Sequence, residues 1–231
     1  MAVSGPEVVE RLAVVRRRIE AAGGTPDAVR VVAVTKGFGP EAVHAAMAAG
    51  VTDLGESYAD ELLAKSAEAD AAVEGVADAA PRRWHFLGRV QRNKVRRLAG
   101  VVSLWHGVDR VAAGREIAAR APGAAVLVQV NVSGEEQKSG CGFDEAPVLV
   151  DDLRHMGLDV RGLMAVGPTG PPELARPGYR RLARLAERLG LGERSMGMTD
   201  DLEVAVEEGS TIVRVGRALF GARSGANEVR R

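Results

Sequence analysis

Three segments of this 231-residue chain hold residue types that could work together chemically. Lys36 ends the apolar run Val31-Val32-Ala33-Val34-Thr35 and precedes Gly37. An amine at the mouth of a buried strand is partly stripped of water. That disfavours its charged form and leaves a nucleophile suited to Schiff bases. Alone, such a lysine is more often a strand-end side chain reaching out to solvent. The second segment, Ser195-Met196-Gly197-Met198-Thr199-Asp200-Asp201, reads as a strand-to-helix turn with Thr199 at the helix N-cap. Its hydroxyl and the free N–H groups of the first helical turn suit an anion, while Asp200 and Asp201 are expected to point away. The third is Val213-Arg214-Val215-Gly216-Arg217-Ala218-Leu219-Phe220-Gly221, where Gly216 permits close backbone approach to a phosphate and Arg214 faces the same mouth. A reactive lysine with two phosphate-holding turns points to pyridoxal phosphate.

These residues need elements to bring them together. Short apolar runs alternate with amphipathic segments along the whole chain. Strands are predicted at Val31–Thr35, Thr52–Leu54, Trp84–Leu87, Val101–Trp105, Val126–Val132, Val160–Ala165, Arg194–Gly197 and Thr211–Val215. Helices fill the intervals, among them Asp109–Ala121, Glu145–Met156, Pro177–Leu189 and Asp200–Glu208. An N-terminal helix from Pro6 to Ala22 carries Val8, Val9, Leu12, Val15 and Ile19 on one stripe. Ala71 to Pro81 reads as a mobile connection. Eight strand–helix units predict one α/β domain over residues 1–231, a (β/α)₈ TIM barrel, with an open doubly wound sheet as the alternative. The last helical turn is short, and the N-terminal helix is placed to cover the gap. Lys36, Asn131, Gly167, Thr199 and Gly216 fall just past strand ends, the face on which barrel sites are built. Closure would set the first strand beside the eighth, and Lys36 beside Arg214.

Composition excludes several other classes. Hydrophobic residues make up 46% and charged residues 27% of the chain, and 31 basic residues balance 31 acidic ones. No global field favours nucleic acid, and no apolar run is long enough to span a bilayer. The first residues lack a signal-peptide pattern, and Cys141 is the single cysteine, which points to reducing cytoplasm. His44, His85, His106 and His155 are scattered without metal-ligand spacing. Arg89, Arg92 and Arg96, with Lys94 and Arg97, read as a solvated helix face rather than a nucleic-acid patch. Cys141 reads as structural, and His85 as a barrel-interior histidine unless it points toward a cofactor.

A family resemblance joins these pieces. Val31 to Gly37, Gly55-Glu56-Ser57-Tyr58, Trp84-His85-Phe86-Leu87-Gly88 and Gln91-x-Asn93-Lys94 look like consecutive blocks of one family. So do Gln129 to Glu136, Lys138-Ser139-Gly140, Gly162-Leu163-Met164, Ser195 to Asp201 and Val213 to Gly221. The chain resembles the pyridoxal phosphate homeostasis proteins of the YggS/PROSC type, which are similar to the barrel domain of bacterial alanine racemase. The blocks cover nearly all of the chain in order, leaving out only the stretch before Pro81 and the C-terminal tail. The resemblance implies that Lys36 holds pyridoxal 5'-phosphate as a Schiff base. It implies that Thr199, Gly216 and the Arg217 backbone hold the phosphate and that Arg214 faces the pyridine nitrogen. Asn131 and Met164 complete the cofactor-binding set expected at the strand ends. Ser57 stands where the family commonly has asparagine, a departure from its pattern.

A guanidinium can only donate, so the ring nitrogen facing Arg214 would stay unprotonated and the ring would be a poor electron sink. Racemisation also needs a second acid/base opposite the lysine, which alanine racemase takes from a further domain of its partner subunit. The chain ends at Arg231, and its tyrosines, Tyr58 and Tyr179, stand in no segment resembling that domain. The expectation is a cytoplasmic monomer that stores pyridoxal phosphate, or passes it to apoenzymes, without efficient turnover. A small racemase-like enzyme, a cofactor-free Schiff-base aldolase and an interaction module are the alternatives.

Overall fold

The computed structural model describes residues 3–71, 81–135 and 137–222. Most of the connection expected between Ala71 and Pro81, Glu136, and the tail from residue 223 lie outside the described residues.

Eight short runs form parallel strands: β1 (Arg30–Val34), β2 (Asp53–Glu56), β3 (Arg83–Phe86), β4 (Val102–Val108), β5 (Ala125–Gln129), β6 (Asp159–Met164), β7 (Glu193–Ser195) and β8 (Ile212–Val215). They pair in chain order, and β8 returns to β1 with Val32 opposite Arg214, so the sheet is a closed barrel rather than an open one. Alternation along each strand separates two layers. Val32, Leu104, Ala125, Leu127, Met164 and Ile212 form a small apolar cluster in the interior. The alternate residues, among them Ala33, Leu54, Trp105, Val128 and Val213, join the larger core under the helices. The rest of the interior is polar: Asp53, His85, His106, Gln129, Ser195 and Arg214 are all buried. Gly162 on β6 lets β7 approach, because a Cβ there would lie 1.9 Å from the Glu193 carbonyl oxygen.

The helices are α1 (Gly5–Ala21), α2 (Glu41–Ala48), α3 (Ala59–Ala71), α4 (Arg92–Leu98), α5 (Val111–Arg120), α6 (Ala146–His155), α7 (Arg176–Arg188), α8 (Leu202–Glu207) and α9 (Arg217–Phe220). Ser4 caps α1 in a reciprocal box with Glu7. Val8, Leu12, Val15 and Ile19 of α1 are buried, each contributing about 1.5–3 kcal/mol relative to exposure. This face packs on α2, α8 and the four-residue α9, filling the gap as the sequence implied. Four of the five basic residues noted around α4 form ion pairs: Arg89 with Asp109, Arg92 with Glu116, and Lys94 and Arg97 with Asp60. No helix among the described residues is long and apolar enough to cross a membrane.

Two sequence expectations need correction. The fourth strand runs three residues past Trp105, which puts His106 in the sheet with its side chain inside the barrel. The helix expected from Asp200 begins at Leu202, with Asp201 at its N-cap. Asp201 accepts from the Met198 N–H at 2.7 Å and from the Tyr179 hydroxyl at 2.5 Å, which folds residues 198–201 into a tight turn ahead of the helix. Thr199 is therefore a turn residue and not the cap of α8.

Candidate functional site

The C-terminal ends of the strands surround a cavity of about 470 Å³. Val34, Leu87, Met164 and Val166 give it apolar walls, while Lys36, Ser57, Lys138, Thr199, Arg214 and Arg217 bring polar groups to its edge. Lys36 is partly buried where β1 gives way to Gly37, whose φ of 72° turns the chain off the barrel rim. The residue before it is clamped from three sides. The Thr35 N–H donates to the Gly55 carbonyl at 2.9 Å, its hydroxyl donates to Glu56 Oε1 at 2.8 Å, and Lys65 Nζ donates to its carbonyl at 2.8 Å. Lys65 also meets Glu56 at 2.5 Å in a buried ion pair. Burial pushes the Glu56 carboxyl above its usual range, against the pull of the Lys65 ammonium. Lys65 is thus engaged behind Lys36 and lines no part of the cavity, and Lys94 pairs with Asp60 away from it.

The opposite edge is made by two turns. Thr199 Oγ1 accepts from the Ala218 N–H at 3.3 Å, joining the turn after β7 to the first turn of α9. Its carbonyl accepts from Arg18 Nη2 at 2.8 Å, while the same guanidinium grips Glu203 at 2.5 and 2.7 Å. The N-terminal helix thereby steadies this turn. Asp200 pairs with the Arg217 side chain, which leaves the Arg217 backbone at the cavity edge. A Cβ on Gly216 would lie 3.0 Å from the Val34 carbonyl oxygen, so the bare backbone there also serves the contact of β8 with β1.

Arg214 rises from β8 into the cavity with 5% of its surface exposed. It donates to the Ser195 carbonyl at 2.7 Å, to Ser195 Oγ at 2.6 Å and to the Ala165 carbonyl at 2.8 Å. Burial pulls its pKa below the usual value, and the neighbourhood of Tyr179 and Asp201 pulls it back. Met164 packs at the end of β6, opposite Ser195, and is 2% exposed.

Asn131 behaves differently from the sequence expectation. It does not line the cavity; its amide donates to the Glu135 and Lys138 carbonyls and accepts from Ser133 and Gly134. It organises the loop that carries Lys138. Lys138, absent from the sequence-derived set, reaches the cavity and bonds Glu135 at 2.7 Å and the Gly167 carbonyl at 2.8 Å. Cys141 anchors the same loop through backbone bonds to Gln129 and Asn131. Burial pushes its thiol up to about 12, which suits a structural role.

The candidates for a second acid/base are placed elsewhere. Tyr58 is 60% exposed and lies outside the cavity lining. Tyr179 is fully buried under the floor, donating to Asp201 and accepting from the Gly167 N–H at 3.1 Å, and burial raises its pKa. His85 is buried in the barrel and bonded at both ring nitrogens.

Comparison with known proteins agrees with this geometry. Residues 10–224 match the family described as alanine racemase, N-terminal domain. A Pseudomonas aeruginosa protein named pyridoxal phosphate homeostasis protein is 40% identical over 96% of this chain and 97% of its own length. The crystal structure of a Bifidobacterium adolescentis protein superposes with a TM-score of 0.85 at 33% identity, covering 94% of this chain and 95% of that one. PipY of Synechococcus elongatus, solved with pyridoxal phosphate bound, superposes with a TM-score of 0.76 at 28% identity, covering 93% of this chain and all of that one. Closed barrel, strand-end lysine and double turn together with these matches identify the chain as a member of the pyridoxal phosphate homeostasis proteins, within the alanine racemase N-terminal domain family.

Proposed function

We propose that this chain binds pyridoxal phosphate in the strand-end cavity, holds it covalently through Lys36, and serves cofactor homeostasis without efficient turnover. The observation that carries this reading is the meeting of Lys36 from β1 with Thr199, Gly216 and Arg217 from the far end of the sequence around one cavity. The donor set fits the group. Pyridoxal phosphate supplies an aldehyde that condenses with a primary amine, a flat ring and a dianionic phosphate. Lys36 supplies the amine, and Val34, Leu87, Met164 and Val166 supply apolar walls for a ring. The Thr199 hydroxyl and the backbone at Gly216 and Arg217 suit the phosphate. Arg214 has donors only, so it presents no group that could accept a proton from a ring nitrogen. Asn131 enters the proposal as the organiser of the Lys138 loop rather than as a contact.

Neither tyrosine nor His85 reaches the cavity, which favours holding over racemisation. Handing the cofactor to apoenzymes, and doing so as a monomer, are parts of this proposal. Purified protein should show a visible absorbance band that borohydride removes while fixing the cofactor to Lys36. In Lys36→Ala the band should vanish, with weak phosphate-dependent binding retained. A band that survives the substitution would place attachment elsewhere. Lys36-dependent α-proton exchange on amino acids at about 1 s⁻¹ or faster would establish an enzyme instead.

A further inference from the structure

Arg214 is a buried cation, and among the described residues no carboxylate forms an ion pair with it. Burying a charge is expensive unless its surroundings are arranged to receive it. The barrel interior holds an unusual set of partners behind it. Ser195 Oγ, which takes a bond from Arg214, lies 3.0 Å from His106 Nδ1. His106 Nε2 lies 2.9 Å from His85 Nδ1, and His85 Nε2 lies 2.9 Å from Asp53 Oδ1. Asp53 opens β2 at the opposite end of the barrel, where Arg83 grips it at 2.9 and 2.6 Å. An unbroken file of polar atoms therefore crosses the barrel from the cavity to its far rim.

We propose that Ser195, His106, His85 and Asp53 form a one-way hydrogen-bond chain that positions Arg214 and supports its charge, making all four positioning residues for the cavity. The assignment rests on the reading of Arg214 as the group that faces the cofactor ring. The direction follows from which atoms can donate. Arg214 only donates and the Asp53 carboxylate only accepts, so both ends are fixed. Facing the carboxylate, His85 Nε2 must carry a hydrogen. In an uncharged ring His85 Nδ1 then accepts, which requires a hydrogen on His106 Nε2 and leaves His106 Nδ1 to accept from the Ser195 hydroxyl. Every donor points from Arg214 toward Asp53.

The competing arrangement puts a second hydrogen on His85 and reverses the bonds above it. Ser195 Oγ would then receive two donors, from Arg214 and His106. Its own hydrogen would have no acceptor, since these are its side-chain partners among the described residues. It would also set a second cation in the same barrel. The charged groups facing the pair are Asp53 and Arg83, with Arg30 and Glu193 at the lower rim and Arg214 above. Burial, with the positive charges of Arg214 and Arg30, holds His106 well below the usual histidine range. In the one-way arrangement the Asp53 charge polarises each neutral link in the same sense, making Ser195 Oγ a stronger acceptor for the guanidinium.

The direct test is ¹⁵N NMR of the imidazoles in the full chain at neutral pH, with and without pyridoxal phosphate. Uncharged rings with hydrogen on Nε2 of both His85 and His106 are expected; hydrogen on Nδ1 of either, or a cationic His85, overturns the chain. The second arm compares Ser195→Ala with Ser195→Thr. Losing one bond to a charged donor should weaken pyridoxal phosphate about tenfold and move the absorbance maximum of the bound cofactor, and threonine should restore both. A fall in thermal stability with unchanged affinity and spectrum overturns the positioning role. If Ser195→Ala does not fold, the wild-type tautomers decide. If wild-type protein shows no Lys36-dependent band, the cofactor reading fails, and the role assigned to the chain fails with it, whatever the tautomers.

Discussion

A lysine ending an apolar run has a commonplace reading, and Lys36 stood out only beside the glycine and arginines of residues 213–221, which the fold brings to the same cavity. The rest of the site was not visible at this scale. Lys138 sits in a loop whose path is set by Asn131, and sequence spacing says nothing of where such a loop closes. His85 and His106 look unrelated along the chain and touch only because β3 and β4 are adjacent. Thr199 was recognised for its hydroxyl and placed in the right turn but at the helix cap, a position that Asp201 takes. Its bond to the Ala218 N–H is long, at 3.3 Å, so the hydroxyl is only weakly engaged there. Thr199→Ala should therefore weaken pyridoxal phosphate by about 1.5–3 kcal/mol while leaving dephosphorylated pyridoxal nearly unaffected. Comparative titration decides this, and equal losses for both ligands would mean that Thr199 only ties the two turns together.

Elements came through more clearly than their ends. All eight strands and the covering role of α1 followed from the alternation of short strand-like runs with amphipathic segments, the β-branched runs of β1, β5 and β8 being the clearest, while β2, β3 and β7 hold no β-branched residue. The ends shifted where side chains changed the local balance, as when His106 and Gly107 continued β4 without an apolar signature. A very close backbone approach between elements lies at β6 and β7, where Gly162 faces the Glu193 carbonyl. Backbone cannot swing aside as a flexible side chain can. Gly162→Ala should cost about 1–3 kcal/mol or more in stability. The same strand pair sets Met164 opposite Ser195, so cofactor affinity should fall with it. Denaturant unfolding beside a cofactor titration reads both; an alanine variant as stable as the parent would show that the two strands can part without penalty.

At the scale of the whole molecule, the polar barrel interior makes stability depend on acidity. His106 is neutral in the fold, and its pKa is well below the usual value. The unfolded chain takes up that proton below about pH 6.5 and the native chain does not, so stability falls as pH drops through that point, by at most about 1.4 kcal/mol per pH unit for one proton. Burial alone would raise the Asp53 pKa, but bonds from Arg83 and His85 outweigh it and hold the carboxyl well below the ordinary range. Its contribution is present above about pH 4 and is lost on further acidification. His106→Gln should lower stability at pH 7 and flatten the decline between about pH 6.5 and 4.5. Denaturant melts across that range test it, and matching slopes would mean that His106 titrates alike in both states. The seam between β8 and β1 also has a consequence for biosynthesis. Lys36 is made early, but Gly216 and Arg217 on the far edge of the same cavity lie about 180 residues later, and the barrel cannot close until β8 has emerged. At ~5–20 residues per second the ribosome needs roughly 9 to 36 s to bridge that gap. Throughout that interval the cavity does not exist around Lys36, so under the proposed function selective capture of an aldehyde there waits for the closing strand.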